Sequence, residues 1–197
     1  MSRWNPSQTR LFLVLAIVFM VTRNHQWTPV LHLPDASLAV FFLAGMLLTS
    51  RWAFPALCLL GAGVDAWAIT QGGVSSYCVT PAYALLLPAS ATLWLSGRLF
   101  SARLSLKHLR DGFALSLGVS LATLGAELFS SGGFYFLSGR FPHPTLSGFL
   151  PRLLQYSPAV IGATLCYVAM AMILKQLVHS QRPTVPNLRN LELPRHP

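Results

Sequence analysis

Residues 53–70 read AFPALCLLGAGVDAWAIT, an apolar run of 18 residues with one charged member, Asp65. A helix needs about 20 mostly apolar residues to cross the hydrocarbon core of a bilayer. A carboxylate inside such a helix is costly, and it therefore marks a functional position by default. This stretch predicts a transmembrane helix with a polar site along it.

The composition of the whole chain also indicates a membrane protein. Of its 197 residues, 53% are hydrophobic and 10% are charged, and the mean hydropathy is +0.54. Soluble domains carry about 25% charged residues, and these figures also exclude a disordered chain and a disulfide-rich scaffold. The formal net charge is +9, but the basic residues lie singly between apolar runs and form no nucleic-acid-binding stripe. We expect the lipid bilayer, and no nucleic acid, as a partner.

Six apolar runs predict an all-α membrane protein built as a bundle of six transmembrane helices. Pro34 suits the first turn of the second helix, and Gly132-Gly133 is a natural end for the fifth. We expect residues 1–178 to form one transmembrane domain, and residues 179–197 a disordered cytoplasmic tail. The runs are residues 10–23, 36–50, 53–70, 79–97, 112–131 and 155–177.

The basic residues predict the orientation of this bundle. If the chain starts inside, 11 of its 14 Lys and Arg residues fall on the inner side, and only Arg23, Arg140 and Arg152 fall outside. Cytoplasmic loops carry the excess of Lys and Arg in membrane proteins. We therefore expect both termini in the cytoplasm.

With this orientation, the polar residues with chemical potential gather at the outer face. Asp65 lies 12 residues along its helix, or ~18 Å into a core of ~30 Å. The residues placed near this face are His25, His32, Asp65, Cys78, Tyr83, Glu127 and Arg152. Their convergence from several segments predicts a ligand site there.

Each of these residues also has a simpler interpretation. Asp65 is either a ligand contact or the partner of an arginine. Arg152 is equally well explained as an interfacial anchor. Tyr83 fits the aromatic belt or a ring that stacks on a planar ligand.

Cys78 differs from the other two cysteines. Cys58 and Cys166 lie within helices, where a cysteine is usually a small hydrophobe. Cys78 starts the fourth predicted helix on the outer side, and a helix N-terminus favours the thiolate. One thiolate cannot form a closed zinc site, but it suits a soft or borderline metal that arrives already chelated. A corrin-bound cobalt is such a metal, while a merely packed cysteine is the alternative.

Three stretches resemble a known family. They are LPDASLAVFFLAG at 33–45, GVD at 63–65 and SYCVTPAY at 76–83. Together they are similar to the BtuM-type cobalamin transporters of proteobacteria, solitary relatives of the substrate-binding S-components of energy-coupling-factor vitamin transporters. The likeness spans essentially the whole chain, and the cysteine segment is its most specific part.

The resemblance implies a multi-pass protein of the bacterial inner membrane that takes up cobalamin (vitamin B12). Cobalamin is then the bound substrate, with no other cofactor, and Cys78 is the ligand of its cobalt. His32 competes with His25 for a place in the site. The binding residues implied by the resemblance are Cys78, Asp65, Tyr83, Arg152 and His25.

The first predicted helix bears on how uptake is energised. S-components dock to their coupling subunit through an Ala-x-x-x-Ala patch, whereas Ala16 has no small residue four positions away. We therefore expect no obligatory ATPase module.

Two other functions remain open at this point. One is a thiol-dependent membrane enzyme that modifies corrinoids, using Cys78 to remove an upper axial ligand such as cyanide, with His25 or His32 as base. The other is an S-component-like transporter for another vitamin. A membrane sensor is disfavoured, because the expected tail is too short to form an output domain.

Overall fold

The computed structural model describes residues 5–23, 33–103 and 109–180, which contain six α-helices, two 3-10 helices and no strand. The 3-10 helices are Ser76–Cys78 and Pro81–Leu85. The all-α fold class is confirmed for this part of the chain. The α-helices are α1 (Pro6–Arg23), α2 (Ser37–Leu47), α3 (Ala53–Thr70), α4 (Leu86–Arg103), α5 (Leu109–Leu137) and α6 (Leu146–Ser180).

Three of these helices are long and apolar enough to cross a membrane: α3 over its whole length, α5 over Arg110–Leu137 and α6 over Leu146–Val178. Helix α2 is also apolar, but it is shorter, with 11 residues. At about 1.5 Å per residue, α2 measures ~16 Å, about half of a hydrocarbon core. The structure thus supports a membrane protein with three helices of spanning length, and the count of six spans stays a prediction.

The short helix α2 forms the centre of the bundle, with nine of its 11 residues buried. It packs closely on α4 through two glycines. A Cβ atom on Gly45 would collide with the backbone carbonyl of Trp94, and one on Gly97 would collide with that of Phe42. Small residues of this kind let helix backbones approach, and here they hold α2 among its neighbours.

The outer surface of the bundle is apolar. On α5 the exposed residues Phe113, Leu117 and Leu121 recur every four positions, which puts them on one face of the helix. Leu13 and Ile17 are exposed in the same way on α1. Large contiguous apolar surfaces are rare on soluble monomers, and contact with lipid accounts for this one.

The helices alternate in direction, so the bundle has two ends. Backbone N–H of Thr49, in the turn between α2 and α3, donates to Oε1 of Gln8 at the start of α1 (2.9 Å), and Arg98 of α4 donates to the Thr49 carbonyl (3.0 Å). We call this the basic end. The opposite end, where α1 and α3 finish, is the site end.

Two predicted helix boundaries in the last third of the chain are wrong. Helix α5 continues through Gly132-Gly133 to Leu137, because these glycines lie against Phe149 and Leu85 and make room for close packing instead of ending the helix. Helix α6 begins at Leu146, nine residues before the predicted start, and contains Pro151 and Pro158. Residues 181–197 of the predicted tail lie outside the described residues, and α6 itself reaches Ser180.

Two boundaries in the first half also differ. Helix α2 begins at Ser37, so Pro34 lies before it and is not in its first turn. The Pro34 carbonyl instead accepts a hydrogen bond from the Tyr167 hydroxyl (2.8 Å). Helix α4 begins at Leu86, seven residues after the predicted position, because Pro81 starts a 3-10 helix in front of it.

Candidate functional site

An arginine–aspartate pair joins the ends of α1 and α3. Nε of Arg23 donates to Oδ1 of Asp65 at 2.8 Å, and Nη2 donates to Oδ2 at 2.6 Å. Each side chain is 18% exposed. Bidentate pairs between guanidinium and carboxylate are both strong and directional. Asp65 therefore has a charge partner within the bundle.

Three further residues complete what we call the polar network, which consists of Arg23, Asp35, Ser37, Asp65 and Tyr83. The Tyr83 hydroxyl donates to Oδ2 of Asp65 at 2.6 Å. Nη1 of Arg23 donates to the Ser37 hydroxyl at 3.1 Å, and that hydroxyl donates to Oδ1 of Asp35 at 2.6 Å. The network thus ties α1, the start of α2, α3 and the second 3-10 helix together at the site end.

The charges of the network differ in their access to water. Asp35 is 53% exposed and lies 4.0 Å from Nη1 of Arg23, so water screens it. Asp65 is mostly desolvated and depends on Arg23 for compensation, since an unpaired carboxylate in this position would be costly. The Arg23 guanidinium also lies 5.6 Å from the ring centre of Phe19, within the range of cation–π attraction.

A cavity of ≈ 670 Å³, the outer cavity, lies against the network at the site end. Its volume is typical of small-molecule sites, which measure about 300–1,000 Å³. Asp65, Tyr83 and Arg152, three of the residues predicted for the site, line it together with Glu127. Glu127 accepts a hydrogen bond from the Ser131 hydroxyl (2.8 Å), one turn further along α5.

Aromatic side chains form one wall of the outer cavity and hold Arg152. The wall consists of Phe134, Tyr135, Phe141 and Phe149. The Arg152 guanidinium lies 5.0 Å from the ring centre of Phe141 and 5.8 Å from that of Tyr135, within the range of cation–π attraction. Neither ion pair found in the described part of the chain includes Arg152. The cavity thus offers a positive group on an apolar, aromatic surface.

The backbone of Cys78 lies in the first 3-10 helix, and its side chain is outside the part of the chain that the structure describes. Ser75 and Val79, on either side of it in sequence, line the outer cavity, so this segment borders the cavity. The prediction that Cys78 starts the fourth helix is wrong, because α4 begins eight residues later. The dipole of a long helix therefore gives no support for a thiolate here. His25 and His32 lie outside the described residues.

The other two cysteines are free: Cys58 on α3 is partly buried and Cys166 on α6 is exposed. Within residues 5–23, 33–103 and 109–180, no three His, Cys, Asp or Glu side chains group as they do in a protein metal site.

Arg23 is the main site residue that the sequence interpretation missed, since it was placed only among the basic residues of the outer loops. The signal was available in part, because Arg23 lies 13 residues after the start of the first apolar run, much as Asp65 lies 12 residues after the start of the third. The aromatic wall gave no such signal, because aromatic residues occur all along this chain.

Comparison of the sequence with models of known protein families and with curated proteins finds no match. The residues, the geometry of the site and the resemblance described above therefore carry the functional proposal.

Proposed function

We propose that this chain binds cobalamin in the outer cavity and carries it across the bacterial inner membrane into the cell. The observation that carries the proposal is the convergence of Asp65, Tyr83 and Arg152 on one cavity, beside the segment that holds Cys78. The cysteine segment is also the most specific part of the resemblance to BtuM-type transporters.

The proposal includes a bundle of six spans with the basic end in the cytoplasm. Arg10 is exposed near the start of α1 and can extend toward the interface, which lengthens the effective span of this helix. The short α2 is covered by its neighbours and does not have to face lipid. Arg51, Arg98 and Lys175 then lie on the inner side, as the excess of basic residues in cytoplasmic loops favours.

The outer cavity has groups that match the parts of cobalamin. The corrin is a wide, largely apolar ring system, and the aromatic wall offers it a matching surface. Its amide side chains have donors for the Asp65 and Glu127 carboxylates. Its phosphodiester carries the negative charge that the Arg152 guanidinium would bind.

Cys78 is proposed as an axial ligand of the cobalt. Thiolate sulfur is a soft donor and favours soft or borderline metals. Because cobalt arrives inside the corrin, one protein ligand is enough, and no cluster of protein ligands is needed. A strong donor on one face also weakens the ligand held on the opposite face.

The absorption spectrum of bound cobalamin tests this role of Cys78. We expect the purified protein to bind cobalamin with a shifted corrin spectrum, and Cys78→Ser to remove the shift and weaken binding, because a hydroxyl is a harder ligand than a thiolate. Cys58→Ser and Cys166→Ser are the matched controls and should keep the shift. Unchanged spectrum and affinity in Cys78→Ser would contradict cobalt ligation by this residue.

A further inference from the structure

A second cavity of ≈ 570 Å³, the inner cavity, adjoins the outer one. All six α-helices contribute to its lining. The two cavities share six lining residues, and these are Arg23, Asp35, Tyr83, Leu86, Glu127 and Ser130.

The inner cavity lies closer to the basic end along each helix that can be compared. On α1 the outer cavity contacts Thr22, whereas the inner cavity contacts Phe19, about one turn before it. On α3 the outer cavity contacts Asp65, and the inner cavity contacts Cys58 and Gly61 instead.

The descending helix α6 gives the same order. There the outer cavity contacts Arg152 and Tyr156, and the inner cavity contacts Val160 and Ala163, further toward the basic end. A difference of seven or eight residues corresponds to ~10 Å along a helix. The two cavities are therefore stacked along the bundle, and the inner one reaches toward its middle.

The polar network stands between the two cavities. Arg23, Asp35 and Tyr83 line both, while Asp65 lines only the outer cavity and Ser37 only the inner one. The hydrogen bonds from Tyr83 to Asp65 and from Arg23 to both Asp65 and Ser37 thus cross the boundary between the cavities.

We propose that the inner cavity is a second binding site for the ligand on its path across the membrane, and that the polar network is the partition that separates the two sites. This inference rests on the proposed transport function. Away from the residues that it shares with the outer cavity, among them the charged Arg23, Asp35 and Glu127, the inner cavity is lined mainly by apolar side chains, with Ser37, Cys58 and Ser90 as small polar groups. This part of the inner cavity suits an apolar ring face with a few hydrogen-bonding edges.

The partition is built so that the ligand itself can open it. Tyr83 belongs to a 3-10 helix and Asp35 precedes α2, and such terminal segments absorb the backbone changes of hinge motions. An amide N–H of the ligand that donates to Oδ2 of Asp65 takes the place of the Tyr83 hydroxyl. Binding in the outer cavity therefore weakens the boundary with the inner one.

Cys58 is a native probe of this partition, because it lines the inner cavity and not the outer one. The protein is purified with Cys78→Ser and Cys166→Ser, and a negatively charged methanethiosulfonate is added without cobalamin. The Cys58 thiolate attacks the reagent sulfur, a mixed disulfide forms and sulfinate leaves. Labelling should be slow while the network is intact. Tyr83→Phe, which removes only the hydroxyl, should raise the rate about tenfold or more, because a charge-assisted hydrogen bond is lost.

Two further variants complete the labelling experiment. Asp65→Asn should also raise the rate, whereas Thr70→Val should not, since the Thr70 hydroxyl bonds the Ala66 carbonyl within α3 outside both cavities. Equal labelling rates of Cys58 in the protein with the intact network and in both network variants would overturn the proposal that the network separates the two cavities. Because cobalamin is absent, a failure of cobalamin binding would leave this result unaffected.

Narrowing the inner cavity tests whether the ligand passes through it. Ala163→Leu should retain the cobalamin spectrum but slow uptake about tenfold, measured as growth of a cobalamin-requiring strain that has this chain as its only transporter and no ATPase module. Ala66→Leu, exposed on α3 outside both cavities, is the control. Normal uptake in Ala163→Leu, or loss of binding together with uptake, would overturn a separate second site.

Discussion

At the scale of single residues, the pairing of Arg23 with Asp65 determines the charge balance of the site. The bidentate pair lets a carboxylate lie among apolar helices and still present an oxygen to Tyr83. Removing one member of a buried pair leaves an uncompensated charge, whereas replacing both by apolar groups costs little. Comparing single with double replacement therefore distinguishes the contribution of the pair to stability from its contribution to binding.

The pair should behave accordingly when it is mutated. We expect Arg23→Met to destabilise the purified protein by about 3 kcal/mol, measured by chemical unfolding in detergent, because Asp65 loses its compensating charge. The double variant Arg23→Met/Asp65→Leu should recover most of that loss, while the proposed binding of cobalamin stays impaired. Arg140→Met, which removes an arginine stacked on Tyr77, is the control. A double variant no more stable than Arg23→Met would contradict this account of the pair.

Part of the site could be located from the sequence, because helix rise converts residue number into depth. Asp65 and Tyr83 were placed at the same end of the bundle in this way, and the structure brings them within hydrogen-bonding distance. Arg152 was placed there too and lines the same cavity. The depth of a residue does not tell which side of its helix the side chain is on, however. The pairing of Asp65 with Arg23 was therefore not predicted.

At the scale of the elements, two glycines decide how α2 and α4 pack. Gly45 and Gly97 each face a backbone carbonyl of the other helix. We expect Gly45→Ala and Gly97→Ala each to destabilise the protein by about 1–3 kcal/mol, as overpacking does. Gly63→Ala and Gly162→Ala are matched controls, because a Cβ there meets nothing within 4 Å. Equal thermal stability in all four variants would contradict a close α2–α4 contact.

The sequence predicted the existence of the helices better than their ends. Apolar runs depend on composition, so all six helices fall on predicted runs. The rules for helix ends come from helices in water, where glycine and proline stop a helix. Within apolar helices, packing tolerates both, which explains why α5 passes Gly132-Gly133 and α6 contains Pro151 and Pro158.

At the scale of the whole molecule, the distribution of charge distinguishes the two ends of the bundle. Arg51 and Arg98 lie at the basic end, where the hydrogen bonds of Thr49 join three helices. The site end has the two carboxylates of the network and the outer cavity. The outer cavity at one end and the inner cavity reaching toward the middle give the molecule a direction, and the proposed uptake requires that the site end face outward.

Labelling of single cysteines tests that direction. In a chain with Cys58, Cys78 and Cys166 replaced by serine, Ser147→Cys lies exposed at the start of α6 and Ser101→Cys near the end of α4. A membrane-impermeant maleimide added to spheroplasts should label Ser147→Cys at once, but Ser101→Cys only after the membrane is permeabilised, because the basic end is retained inside. The reverse pattern would place the outer cavity in the cytoplasm. Cobalamin arriving from outside could then not reach Asp65, Tyr83 and Arg152 first, and the proposed uptake would be wrong.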